Sequence, residues 1–236
     1  MGRIDVHAHL LPGIDDGCQA AEDSLECARQ LVERDYSHCV CTPHIWRNLP
    51  HNNRHDIRRR VSELQAEVDR ARIPLVLIPG GEINLTPDFA SSDPDEVVTY
   101  ALGGRHVLID LWADRLPPHF DPSVRWFQLR GLTVILAHPE RMRAVQDAPE
   151  LADHFAELGV LLQGNFQCFG DAPHAHTRIT AERFLREDRY FTLGTDLHGR
   201  ASLPARWAGF ERVRSMVDEE TFDRLTMHQP MQLIDA

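Results

Sequence analysis

Nine side chains of this 236-residue chain have the types and spacing to hold metal ions: His7, His9, Asp16, His44, Glu82, Asp110, His138, Asp196 and His198. They come in short islands, and each island follows a short apolar run. Imidazole nitrogens and carboxylate oxygens suit manganese, iron or zinc alike, so the donor set points to a divalent cation without choosing one. Residues two apart in an extended segment share a face, which lets His7 and His9 reach the same ion. His174-Ala175-His176 has the same spacing but sits at a loop or helix start, where such residues diverge, and it reads as surface. A single histidine of this kind is more often solvated or hydrogen-bonded; recurrence at strand ends makes the set a candidate multinuclear centre.

The elements that must position these donors alternate in type. Short apolar runs at Ile4 to Val6, Cys39 to Cys41, Leu75 to Ile78, Val107 to Ile109, Thr133 to Ala137, Val160 to Leu162 and Tyr190 to Leu193 read as buried parallel strands. Amphipathic patterns between and after them predict helices at Glu22 to Glu33, Arg54 to Arg72, Ser123 to Arg130, Pro149 to Leu158, Thr180 to Glu187 and Pro204 to Val217, with a short one near Glu220 to Leu225. Seven strand-helix repeats predict an α/β barrel, whose post-strand loops converge on one face. The Pro-bearing stretches Thr86 to Pro94 and Arg115 to Pro122 read as loops near that mouth, and Trp112, Phe120 and Trp126 as apolar residues that rim it or pack on helices. No linker rich in Gly or Ser divides the chain, so residues 1–236 are expected to form one domain.

Composition excludes several classes. With 36 acidic and 25 basic residues, the formal charge of −11 disfavours neutralising nucleic-acid phosphates as a main task. Every basic residue is arginine, which rules out lysine-based catalysis. Cys18, Cys27, Cys39, Cys41 and Cys168 are odd in number and form no Cys-x-x-Cys pair, which fits a reducing compartment. The start of the chain lacks the pattern of a secretory signal, and no apolar run approaches the roughly 20 residues of a membrane span, so a cytoplasmic protein without membrane insertion is expected.

A rival chemistry is written at Cys41-Thr42-Pro43-His44-Ile45-Trp46-Arg47, a literal Cys-x5-Arg, the nucleophile loop of cysteine-dependent tyrosine phosphatases. Such a loop cradles phosphate with successive peptide N–H groups. Pro43 lacks that donor and the segment has no glycine, so Cys41 reads as a buried strand-end residue.

The segments Ile4 to Gly17, Thr42-Pro43-His44, Gly81-Glu82-Ile83, Ala137-His138-Pro139-Glu140-Arg141, Gln163-Gly164-Asn165 and Thr195-Asp196-Leu197-His198 resemble, in order and over nearly the whole chain, the polymerase-and-histidinol-phosphatase (PHP) superfamily. Leu11 to Gly17 and His138 to Arg141 resemble more narrowly its bacterial protein-tyrosine phosphatase branch, which acts on kinases regulating capsule and exopolysaccharide synthesis. The resemblance implies a distorted seven-stranded β/α barrel with two or three divalent ions, manganese being favoured. His7, His9, Glu82 and Asp196 would hold the first, Glu82, Asp110 and His138 the second, and Asp16, His44 and His198 the third. Asp5 would orient a ligand histidine. Two departures stand out: Asp110 replaces the usual Glu, and the Arg-Pro pair expected after His198 is replaced by Gly199-Arg200 and the later Leu203-Pro204-Ala205-Arg206.

What the resemblance implies for these residues is hydrolysis of a phosphomonoester by metal-activated hydroxide. Arg141, beside His138, is the first candidate to clasp the phosphate, with Arg200 and Arg47 after it. The expected substrate is a phosphotyrosyl protein, with a bacterial tyrosine kinase as partner. The alternatives are a PHP phosphatase of a small metabolite such as histidinol phosphate and, from another class, an inert binding module on the same fold.

Overall fold

The computed structural model describes residues 2–87, 89, 93–170 and 175–234. Strand β1 (Arg3–Ala8) leads through helix α1 (Ala21–Val32) to β2 (Tyr36–Cys41) and β3 (His44–Ile45); α2 (Arg54–Arg70) leads to β4 (Val76–Pro79) and β5 (Glu82–Asn84). Then follow β6 (His106–Asp110), α3 (Phe120–Gln128), β7 (Thr133–Ala137), α4 (Arg143–Asp147), α5 (Leu151–Glu157), β8 (Leu161–Asn165), α6 (Ala175–Arg186) and β9 (Thr192–Gly194). Helices α7 (Leu203–Met216), α8 (Glu219–Asp223) and α9 (Gln229–Ile234) close the described chain.

All pairings between these strands are parallel, and they form two sheets rather than one: β1-β2-β4 and β3-β5-β6-β7-β8-β9. Each of the seven expected apolar runs overlaps a strand, the last only at Thr192 and Leu193, and β3 and β5 are additional to them. They arise because the second and third runs break and cross from one sheet to the other. Pro43 interrupts the first crossing, lacking a ladder donor. Gly80 and Gly81 make the second: a Cβ on Gly80 would sit 2.8 Å from Val40 Cγ1, and one on Gly81 2.8 Å from Val98 Cγ1. The two sheets meet again where Ala8 bridges Leu197 beyond β9.

Burial follows the sequence pattern. Ile57, Val61, Leu64 and Val68 form the buried stripe of α2, which starts where Asn53 accepts the peptide N–H groups of His55 and Asp56. Strands β6 and β7 are apolar on both faces because helices cover one and the interior the other. A small cluster joins Ile4, Val6, Val40, Leu108 and Ile135 to Tyr100 and to Leu233 of α9. Phe120 is wholly buried against Phe155, 5.3 Å between ring centroids, so it does not rim the mouth. Trp126 packs edge-on against Phe89 and Phe127, whereas Trp112 stays 63% exposed. The loop expected over Thr86 to Pro94 lies partly outside the described residues, as does His174, while His176 is exposed at the start of α6.

Helix α7 docks closely on the turn Phe166–Phe169 that follows β8, and Gly209 makes the approach. A Cβ there would meet the Phe166 carbonyl oxygen at 1.7 Å. Gly209→Ala is therefore expected to cost about 2–3 kcal/mol by overpacking, read in a thermal melt as a midpoint lower by roughly 5–10 °C. An unchanged midpoint would contradict this close approach.

Candidate metal centre

Most of the donors sit at or just beyond the carboxyl ends of parallel strands, and two sit where a strand begins. His7 and His9 come from the end of β1, His44 and Glu82 open β3 and β5, Asp110 ends β6, His138 follows β7, and Asp196 and His198 follow β9. Two of these turns use unusual backbone: His138 (φ 34) and Asp196 (φ 48) lie in the left-handed region. Such residues cost roughly 1–3 kcal/mol each and persist where surrounding structure fixes them. Here the peptide N–H of His138 donates to the Gln163 carbonyl (2.6 Å), and that of Asp196 to the His7 carbonyl (2.7 Å).

The first group is wholly buried. The Nε2 atoms of His7 and His9 each lie 3.4 Å from Glu82 Oε2 and 3.4 Å from Asp196 Oδ1, and 3.3 Å from one another. Imidazole nitrogens and carboxylate oxygens are the usual ligands of such a divalent cation, and those of His7, His9 and Glu82 lie close enough together to share one. Tautomers support the same fit. Asp15 Oδ2 stands 2.8 Å from His9 Nδ1, and Gln163 Oε1 stands 2.8 Å from His7 Nδ1. Both acceptors fix the proton on Nδ1, so the neutral rings turn Nε2 lone pairs toward two carboxylates. That convergence of donors suits a cation.

Charge behaves accordingly. Burial opposes a charged His7, yet Glu82 and Asp196 outweigh it and raise its pKa. For His9, burial is again outweighed, by Asp15, Asp196 and Glu82, and the pKa is raised well above the usual imidazole range. Burial likewise works against Glu82 and Asp196, and the surrounding histidines hold both far below the usual carboxylate range.

Asp5 has a different task from the one expected. It accepts the peptide N–H of Thr195 (3.0 Å) and its hydroxyl, and so fixes the backbone before Asp196; burial pushes its carboxyl up to about 6. The imidazole partners are Asp15 and Gln163, which sequence reasoning passed over. Their signals were present: two adjacent acids in Ile14-Asp15-Asp16-Gly17, and a polar triplet, Gln163-Gly164-Asn165, ending a buried strand. Asn165 Nδ2 donates to Asp196 Oδ2 (2.7 Å).

The structure brings two further groups together around the first. His138 Nε2 lies 3.0 Å from Glu82 Oε1, while Asp110 Oδ1 is 3.9 Å from His138 Nδ1. Asp110 Oδ2 accepts the indole N–H of Trp112, and burial raises the Asp110 pKa. On the other flank, Asp16 Oδ1 is 3.2 Å from His44 Nε2 and 3.4 Å from His198 Nε2, with the Asp16 side chain 61% exposed. His44 Nδ1 sits 2.9 Å from Glu82 Oε2, yet neither buried atom makes a hydrogen bond.

Arginines separate clearly. Arg141 lines a cleft of about 300 Å³ together with Asp16, His44, Glu82, Asp110, His138, Asp196 and His198, and its Nη1 donates to Asp196 Oδ2 (3.0 Å). Arg47 lines an adjoining groove of about 600 Å³. Arg200 does not join them: its side chain is 73% exposed and its Nε lies 3.8 Å from Asp23. Arg206, one turn into α7, takes the place beside the cleft instead, donating to the Asp196 carbonyl (2.7 Å). Cys41 is fully buried in β2.

Asp15→Asn should weaken metal binding roughly 10–100-fold, measured by competition with a chelator; an unchanged affinity would refute the orienting role. Because the raised pKa values of His7 and His9 make protons compete with metal, loading should be full in mildly alkaline buffer and fall as acid is added. Metal content after dialysis across that range would show it, and a flat profile would count against histidine ligation.

A family model for capsular polysaccharide synthesis, CpsB/CapC, matches residues 3–235. Tyrosine-protein phosphatase YwqE of Bacillus subtilis is 29% identical over 160 residues, covering 68% of this chain and 63% of that protein. Tyrosine-protein phosphatase CpsB of Streptococcus agalactiae is 22% identical over 201 residues, covering 83% and 82%. Among solved structures, the chain matches one from the crystal structures of Bacillus subtilis YwqE and Streptococcus pneumoniae CpsB, described as unique metal-dependent tyrosine phosphatases. The TM-score is 0.88 at 23% identity, over 98% of this chain and 94% of that one. Less than two thirds of YwqE is spanned by its match. The chain belongs to the CpsB/CapC family of capsular polysaccharide synthesis.

Proposed function

We propose that this chain is a metal-dependent phosphomonoester hydrolase that removes phosphate from tyrosyl side chains of a protein. The carrying observation is that seven nitrogen and oxygen donors line one cleft with Arg141, and His7 and His9 are buried within 3.4 Å of two of them, Glu82 and Asp196. The names of its relatives, tyrosine-protein phosphatases of Bacillus and Streptococcus, support the substrate class. A bacterial tyrosine kinase that regulates capsule synthesis is the partner this reading favours, and a reducing cytoplasm suits its five free cysteines. We read residues 1–236 as a single domain and its two sheets as one distorted seven-stranded barrel, in which β2 with β3 and β4 with β5 each make one broken stave.

His7, His9, Glu82 and Asp196 would hold one ion, Glu82, Asp110 and His138 a second, and Asp16, His44 and His198 a third, with manganese favoured over iron or zinc. Such ions supply Lewis acidity toward phosphoryl oxygens and a water acidified toward neutrality. The protein supplies the rest. Arg141 offers a planar guanidinium for the phosphoryl oxygens once it exchanges its contact with Asp196. Arg206, tied to the Asp196 carbonyl, keeps a second positive charge at the same wall. Glu82 spans two donor groups with its two oxygens and so sets their separation. A tyrosyl leaving group needs little protonation, since the parent phenol has a pKa of about 10.

The deciding experiment compares a phosphotyrosyl peptide with histidinol phosphate on metal-supplemented protein. Preferential release of phosphate from the peptide, abolished by a chelator and by His138→Ala, is the expected result. Arg141→Ala should lower kcat/KM about 10–100-fold, the worth of hydrogen bonds to a charged group. Preference for histidinol phosphate would overturn the substrate assignment, and activity that survives chelation would overturn the chemistry.

A further inference from the structure

Two tryptophans stand where the metal cleft opens to the outside. Trp46 and Trp112 are the residues common to the cleft of about 300 Å³ and the outer groove of about 600 Å³. A ligand with phosphate among the metal donors and its remainder in the outer groove must therefore pass beside both indoles. The groove beyond them presents Asn48, Asn84 and Arg47, polar groups suited to a peptide backbone.

Both rings are held by the metal site itself. Trp46 stacks on the His44 imidazole, 4.0 Å between centroids at 23°. Trp112 donates its indole N–H to Asp110 Oδ2 and lies under the Arg141 guanidinium, 4.8 Å from Cζ to the ring centroid. Despite these contacts Trp112 is 63% exposed. A large apolar ring fixed in place and left open to solvent at a cleft mouth is a surface prepared for another apolar group.

We propose that Trp46 and Trp112 form an aryl-selective entrance that takes the phenyl ring of the phosphotyrosyl substrate, so that these side chains set the preference for aryl over alkyl phosphates. This rests on the phosphatase reading above and names the part of the site that recognises the leaving group. Selectivity arises because a flat ring stacks or meets an indole edge-on, while an alkyl chain of equal length gains contact area without that geometry.

The test is calorimetric binding of benzylphosphonate, n-hexylphosphonate and inorganic phosphate to manganese-loaded protein, with Trp112→Phe and Trp112→Leu alongside wild type. The expected result is a benzyl-over-hexyl preference in wild type of roughly 3–10-fold, kept largely by Trp112→Phe and abolished by Trp112→Leu. A preference unchanged in Trp112→Leu would overturn the entrance, and so would equal loss in both variants, because that would assign the effect to the indole N–H on Asp110. Inorganic phosphate keeps the two readings apart. If it fails to bind wild type, the phosphatase cleft falls and the entrance with it; if it binds equally to all three proteins, only the benzyl-to-hexyl ratio decides.

Discussion

Glu82 and Asp196 are buried side by side with the imidazoles of His7 and His9, and every other feature of the centre answers to that concentration of charge. Carboxylates removed from water are costly unless paired and hydrogen-bonded. Pairing with histidines alone would place protons on Nε2, where the orienting partners Asp15 and Gln163 have aimed lone pairs. The site is thus built at odds with its own proton economy, an arrangement that makes sense when divalent charge occupies the middle. The fold tolerates it because parallel strands surround the donors and leave them no room to separate.

Asp196 shows how tightly one ligand is held. Its Oδ1 faces the two histidines, while Oδ2 accepts from Asn165, Arg141 and Gln167. Its carbonyl takes Arg206, and its N–H the His7 carbonyl. Behind it, Asp5 clamps Thr195 through both N–H and hydroxyl. The left-handed backbone at Asp196 is the conformation these restraints select, and it bends the chain back to meet Leu197 with Ala8. Strand pairing and ligand geometry are one set of bonds at this point.

The donors were legible in the sequence because their types are rare inside apolar runs and they recur where such runs end. What escaped was decided by two or three residues at a time. Strands β3 and β5 are too short to carry a hydrophobic period, and only the Pro43 and Gly80-Gly81 interruptions hint that a run continues into a second sheet. Arg200 is nearest to His198 in sequence, yet Gly199 (φ 81) turns the chain so that Arg200 meets Asp23 in solvent. Arg206 is six residues further but one helical turn inward, and that placement depends on where α7 begins. Asp5 and Asp15 are both plausible partners of a histidine by spacing; backbone direction alone separates them.

Asp110 links the centre to the surface in a way neither sequence nor family pattern anticipated. Being one methylene shorter than Glu, it reaches toward His138 only to 3.9 Å, and its other oxygen is taken by the Trp112 indole. The indole in turn lies against Arg141, whose guanidinium reaches back to Asp196. A chain of contacts therefore runs from one carboxylate through an aromatic ring and an arginine to another carboxylate. Any group that engages Arg141 must act on this chain, so recognition at the mouth and geometry at the second donor group cannot be independent. The substitution that looks like a weakened ligand is also the anchor that fixes the ring at the entrance.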